Sequence, residues 1–249
     1  MHKFFVDKEN ISDKTIHIVG DDVNHISRVL RLREGEEILV SNGEGKEYIC
    51  AIEQVNKKEV LCKIQQELEN ATEAPIKITL YQGLPKSQKM DLIVQKCVEI
   101  GVCKIQPVIT KRVVVKVDGR DISGKVERWR RISEEAAKQS NRGIIPEVLE
   151  PISSEQAIEE LKSMDLALVP YEKESAKGLK SVLKEHANVK NIGILIGPEG
   201  GFDDSEIEEF LKSNIIPVTL GPRILRTETA GFVAASIVLY EIGDMGGME

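Results

Sequence analysis

No uninterrupted apolar run in this 249-residue chain approaches the roughly 18–20 residues that cross a bilayer, which excludes a membrane-spanning helix. The opening stretch, MHKFFVDKEN, lacks the long apolar core of a secretory signal, so a cytoplasmic protein is expected. Cysteine is sparse. Cys50, Cys62, Cys97 and Cys103 show no CxxC spacing and have no His close by, which argues against a zinc or redox motif. They are expected to be reduced thiols, in the core or half-buried. No His, Cys and Asp cluster has ligand spacing either, so no metal is expected. Aromatic residues make up 4% of the chain. The only tryptophan, Trp129, falls in the apolar stripe of a predicted helix, which favours burial over base stacking.

The net charge of −7 argues against a nucleic-acid partner, but it is unevenly spread. Residues 77–142 hold 15 Lys and Arg against 7 Asp and Glu, a balance of +8 that leaves −15 for the remainder. Residues 23–33 add Arg28, Arg31 and Arg33 with no acid among them. A locally basic face on an acidic protein can hold a phosphate backbone. A merely solvated surface is the alternative on charge alone.

Short β-prone runs at 3–6, 15–19, 37–41, 48–54 and 60–66, separated by turn signals, predict a small β module. One helix is expected within it, over 21–32, with Val23, Ile26, Val29 and Leu30 inward and His25, Arg28 and Arg31 on the other face. The polar stretch ELENATEAP marks a boundary, giving domains over 1–72 and 73–249. The second part alternates. Strands are predicted at 76–82, 105–110, 165–170, 191–197 and 215–220. Helices are predicted at 87–100, 122–140, 153–163, 177–186, 203–212 and 227–242. Residues 111–116 carry Lys111, Arg112 and Lys116 around three valines. Ser153 reads as a helix N-cap, and Asp203 with Glu206 as a capping box. Such alternation predicts an α/β fold, a parallel sheet with helices on both faces. The last helix carries no charge from Ala230 to Tyr240, so it is expected to be buried on nearly every side, in the core and at a subunit interface.

Two glycine turns stand between strand and helix, NIGILIGPEGGF at 191–202 and LGPRILRTETA at 220–230. Such turns are where open α/β sheets bind ligands. The first has neither the Lys-Ser/Thr of a P-loop nor the GxGxxG of a dinucleotide fold. It sets Glu199 in mid-turn, where a carboxylate repels a pyrophosphate and suits a ligand with a positive charge or with amine and hydroxyl donors. S-adenosylmethionine has a sulfonium, an amine, a ribose diol and no phosphate. A tight turn with an exposed Glu is the plainer reading. The second loop sets Arg223 and Arg226 among small and apolar residues, suited to phosphate or a developing oxyanion. Ile224 and Leu225 can sandwich a flat ring. Cations at a helix start oppose the helix dipole, and a rule broken at a glycine loop points to function.

Five stretches carry a family resemblance over nearly the whole chain: HISRVLRL (25–32), KSQKMDLIVQKCVEIGVCKIQPVITKR (86–112), RWRRISEEAAKQSNR (128–142), IGPEGGF (196–202) and LGPRILRTETA. The chain resembles the RsmE family of 16S ribosomal RNA uracil-N3 methyltransferases, within the SPOUT class. The resemblance implies an N-terminal PUA-like β-barrel that helps hold RNA. It also implies a C-terminal SPOUT-type parallel sheet with a deep trefoil knot, which chain-threading rules would reject. A homodimer is implied, with the cofactor pocket near its interface and the basic edge of one subunit acting with the knot of the other. The implied substrate is the uridine named U1498, methylated to m3U in 16S rRNA of the small ribosomal subunit. The alternatives are a related enzyme acting on a ribose 2′-hydroxyl or a transfer RNA base, and an RNA-binding homologue without activity.

S-adenosylmethionine is expected on three loops: Leu168, Val169 and Pro170; Ile196, Gly197, Pro198, Glu199, Gly200 and Gly201; and Leu220, Gly221, Ile224, Leu225, Arg226, Thr229 and Ala230. RNA is expected on His25, Arg28, Arg31, Arg33, Lys86, Lys89, Lys111, Arg112, Arg142 and Arg223. Uracil N3 is a poor nucleophile until its proton leaves, so the enzyme must remove the proton or stabilise the anion while holding N3 in line with the methyl group. Arg226 or Arg223 is the expected cation and Glu199 or Glu228 the expected base, unless positioning supplies most of the rate.

Overall fold

The computed structural model of the chain describes residues 1–113 and 119–247, without the side chains of 119–121. Val114, Val115 and Lys116 of the basic run lie outside the described residues, as does the end of the tail. The chain forms two compact units, residues 1–73 with 137–145 and residues 74–136 with 146–249.

The first unit is a five-stranded sheet. Its strands are β1 (Lys3–Phe5), β2 (Thr15–Val19), β3 (Glu37–Ser41), β4 (Lys46–Val55) and β5 (Glu59–Glu69), in the order β1-β3-β4-β5-β2. All pairs are antiparallel except β1 with β3. Period-two alternation sends Ile16, Ile18, Ile38, Val40, Cys50, Ile52, Val60 and Cys62 to one core. Burial pushes the Cys50 and Cys62 thiols up to about 12, so both stay protonated and unreactive. Buried charge joins residues 137–145 to this unit. Lys3 pairs with Glu47, and Arg142 Nη2 stands 2.6 Å from Glu73 Oε2.

The helix expected over 21–32 is not regular. One α-turn, α1 (Asp21–Asn24), passes into a π-helical segment, His25–Leu30, closed by Arg31 in the left-handed region at φ 56°. Ile26 still enters the core. The wider turn shifts the register, so Val29, expected inward, is exposed.

The second unit is a parallel sheet of β6 (Lys77–Gly83), β7 (Lys104–Ile109), β8 (Glu147–Val148), β9 (Ile152–Ser153), β10 (Leu166–Pro170), β11 (Asn191–Ile196) and β12 (Ile216–Val218). The order is β12-β10-β11-β6-β7-β8, with β9 farther along β7. The helices are α2 (Lys89–Ile100), α3 (Gly119–Gln139), α4 (Ser154–Leu161), α5 (Leu179–Glu185), α6 (Asp204–Lys212) and α7 (Thr227–Ile242). One face of the sheet packs Tyr81, Val108, Ala167, Val169 and Leu195 against Ala157, Leu161, Ile207 and Phe210 of α4 and α6. On the other, α7 packs on β11 and β6 and against α2 and α5. Strands covered on both faces are apolar at nearly every position, as β10 and β11 are. Ser153 and Asp203 both close full capping boxes, with Gln156 and Glu206. Trp129 is buried on α3, as its stripe predicts. Cys97 and Cys103 are free thiols, buried and half-buried. Among the described residues no helix is long and apolar enough to cross a membrane.

Candidate active site

The carboxyl ends of β10, β11 and β12 open together on one side of the second unit. The loops that follow line two adjoining cavities of about 510 Å³ each, within the usual span of small-molecule sites. One is walled by residues 196–202 and 224–227 with Lys89; the other by 170–175 and 219–225. Pro170, Glu172, Ile224, Leu225 and Ala230 border both.

A relay of hydrogen bonds fixes the loops. Gln82, fully buried at the end of β6, donates from Nε2 to Thr227 Oγ1 at 2.9 Å. Thr227 in turn donates to the Gly197 carbonyl at 2.6 Å. Thr227 therefore binds the glycine turn to the start of α7 instead of capping its own helix. Arg226 holds the N-cap position with no side-chain cap. On the far side of the turn, Arg112 donates to the Gly200 carbonyl at 3.1 Å and pairs with Asp203 at 3.2 Å. Lys111 donates from its backbone to Glu206 and from Nζ to Ser205. The turn needs its glycines. Gly201 has φ +64°, and a Cβ there would stand 3.3 Å from Glu172 Oε1.

Glu199 leaves the turn toward α2. It accepts from the Lys86 backbone N–H at 3.1 Å and lies 2.9 Å from Lys89 Nζ. The same ammonium stands 3.1 Å from Glu228 Oε2, a buried oxygen on which no donor is aligned, so this contact is charge attraction and not a hydrogen bond. Burial pushes both carboxyls up, but contact with Lys89 and with backbone amides outweighs it and holds each below the ordinary value. Lys89 is raised by Glu199 first and Glu228 second. All three groups are ionised at neutral pH. Arg226 lies 3.9 Å from Glu228 with a side chain 83% exposed.

The donor set fits a phosphate-free cation. Glu172, Glu174 and Glu199 supply carboxylates, and Pro170, Ile224, Leu225 and Ala230 supply an apolar wall. Ile224 is 86% exposed at that wall, an uncovered surface of the kind that a flat purine can cover.

Over 248 residues, the chain is 34% identical to the ribosomal RNA small subunit methyltransferase E of Bacillus subtilis, covering 97% of each chain. The chain belongs to the ribosomal RNA small subunit methyltransferase E family. Residues 72–239 match the RNA methyltransferase domain and residues 18–65 the RNA methyltransferase PUA domain. The Neisseria gonorrhoeae member, solved bound to S-adenosylmethionine, is 32% identical with a TM-score of 0.88, over 98% of this chain and 99% of that one. A Legionella pneumophila methyltransferase solved with the same cofactor is 33% identical with a TM-score of 0.87, over 98% of both chains.

In this family member the expected cofactor residues are largely brought together, with differences at the first loop. Leu168 and Val169 are buried within β10, so the wall there is Pro170 and the residues after it. Glu172, not singled out from sequence, faces both cavities; its one signal was its place just past a strand end. The expected RNA residues divide. His25, Arg28, Arg31 and Arg33 are exposed, with no ion pair for the three arginines among the described residues. Lys86 and Arg223 are also exposed. Lys111 and Arg112 are exposed but tied to the glycine turn. Arg142 is 3% exposed and committed to Glu73, so it holds the first unit together and does not face a ligand. Lys89 borders the cavity, between two carboxylates.

Proposed function

We propose that the chain methylates N3 of the uridine named U1498 in 16S rRNA of the small ribosomal subunit, giving m3U, as a cytoplasmic homodimer. It is an S-adenosylmethionine-dependent rRNA methyltransferase. The observation that carries the finer reading is a phosphate-free, acid-lined cavity that also holds a cation, Lys89, where a weakly acidic ring would lie. Ile224, Leu225, Pro170 and Ala230 would take the adenine, and Glu172 or Glu174 the amine or ribose hydroxyls. The bound cofactor supplies an electrophilic methyl group. The chain's own residues orient the ring, exclude water and favour its anionic form.

Arg28, Arg31 and Arg33 supply a free cationic edge for phosphates. Glu199 and Glu228, ionised and paired, are poor bases, so positioning and charge stabilisation carry the rate. The apolar stripe of α7 supports the homodimer. The return of α7 from the edge strand β12 to the middle of the sheet supports the trefoil knot.

The test is methyl transfer to purified small subunits from cells lacking the enzyme, with the nucleoside identified by mass spectrometry. Formation of m3U at one site is expected. A 2′-O-methylated or transfer RNA product would reject the assignment.

A further inference from the structure

A reaction at a ring nitrogen that carries a proton needs either a base or a group that makes the proton acidic. The two carboxylates nearest the glycine turn are unsuited to the first task, because contact with Lys89 keeps both ionised and below their ordinary range. A carboxylate so stabilised is a weak proton acceptor. The second task needs a cation held where water does not screen it. Arg226 is the obvious candidate from sequence, but its side chain is 83% exposed. Exposed charges are worth little against solvent. Lys89 differs in every respect. Its side chain is 32% exposed, it borders the cavity made by residues 196–202 and 224–227, and it is fixed from two sides.

We propose that Lys89 is a catalytic residue of this enzyme, an ammonium that donates to a carbonyl of the target uracil and stabilises the anion formed when the N3 proton leaves. This rests on the substrate reading above. The N3–H bond breaks and its proton passes to water. The electron pair stays on the ring, spread over N3, O2 and O4, and forms the new N3–C bond as the methyl group leaves sulfur. Glu199 and Glu228 hold the ammonium in place and keep it charged. The charged groups that face it are Glu199 from the glycine turn and Glu228 and Arg226 from the start of α7, with Glu172 across the cavity. The pairing keeps Lys89 protonated, and Glu199 and Glu228 ionised, throughout the neutral range. A change in rate with pH between 6 and 9.5 therefore reports the substrate and not this cluster.

The experiment is single-turnover methylation of unmodified small subunits at saturating S-adenosylmethionine over that pH range, for the wild type, Lys89→Met and Lys89→Arg. Cofactor affinity is measured by calorimetry, and the product nucleoside by mass spectrometry. For Lys89→Met we expect cofactor affinity within about threefold of wild type and a rate at pH 7 lower by about 100-fold, the scale of losing one charge-stabilising donor. The deficit should close above the pH at which the wild type reaches its plateau, because hydroxide then supplies the anion. Lys89→Arg, which keeps the charge and both partners, should keep the wild-type plateau pH. A deficit of equal size at every pH, or one confined to KM for the subunit, would overturn the proposal. Should Lys89→Met lose cofactor binding through misfolding, Lys89→Arg decides, and a shifted plateau with the charge retained would overturn it. A product other than m3U rejects the substrate reading, while the pH profile still tests Lys89 against any weakly acidic ring N–H.

Discussion

Gly83, the last residue of β6, has no room for a side chain. A Cβ there would lie 2.7 Å from the backbone nitrogen and Cδ of Pro198 and 2.9 Å from the Ile196 carbonyl, rigid atoms that cannot swing aside. Gly83→Ala must therefore push the glycine turn away from the sheet. Overpacking of this kind costs roughly 1–3 kcal/mol, to be read by urea unfolding. Cofactor affinity, measured by calorimetry, should fall as well, because Pro198 borders the cavity. Asp203 acts through charge. Hydrogen bonds from Ser205 first, then the Arg112 guanidinium, lower its carboxyl to about 2. Its unfolded value is about 3.9. A depressed carboxyl stabilises the fold above the unfolded value and loses that effect as pH falls toward the folded one. The gap in Tm between wild type and Asp203→Asn should be full at neutral pH and close between about pH 4 and pH 2. A gap that does not change with acid would assign the effect to packing. The capping box was legible at this scale because it is local, an acid three residues before a Glu at the head of an apolar stripe. The place of Lys89 was not. Residue 89 looks like any lysine on an exposed helix turn, and its two partners lie 110 and more residues away.

At the scale of elements, the strands and helices of the second unit followed from periodicity and glycine punctuation, since both are local properties. The π-helical turn at His25–Leu30 was invisible to a reading that assumes 3.6 residues per turn, and Val29 was misplaced by it. The packing of residues 137–145 with the first unit depends on Glu73, Asn70 and Ser41, distant in sequence, and no pattern announces it. The coupling of two loops through Thr227 belongs here too. Its hydroxyl accepts from Gln82 and donates to the Gly197 carbonyl, and it is 7% exposed. Thr227→Val keeps the shape and leaves the Gly197 carbonyl and one Gln82 donor unpaired, beside a Gln82 Oε1 that already has no partner. Leaving buried polar groups unsatisfied costs about 1–3 kcal/mol. Unfolding should show that loss and calorimetry a weaker grip on the cofactor, while Thr227→Ser should restore both. Full stability in Thr227→Val would remove the relay from the account of the loops.

At the scale of the whole molecule, α7 combines two faces. Ala230, Gly231, Ala234, Ala235, Val238 and Leu239 are buried against the sheet, α2 and α5. Phe232, Val233, Ser236, Ile237 and Tyr240 form the other stripe, half-buried or exposed, at helical spacing and without charge. Burying apolar surface releases about 25 cal/mol per Å², so an uncharged stripe of this kind favours a partner over water. A second copy of the chain is the partner the homodimer reading supplies, and α7 begins at the cavity, so pairing there would set two sites near one interface. Tyr240 is 69% exposed, and its replacement by Glu should leave each protomer folded. A charge at the centre of a self-complementary contact meets its own copy across the two-fold axis, where like charges repel and neither is solvated. Sedimentation velocity at micromolar concentration should show the wild type at twice the mass of one chain and Tyr240→Glu as a monomer with unchanged circular dichroism. Methylation by the variant should then fall with its dimer fraction and recover as protein concentration is raised. A wild type that sediments as a monomer, or a Tyr240→Glu dimer, would move the interface off α7.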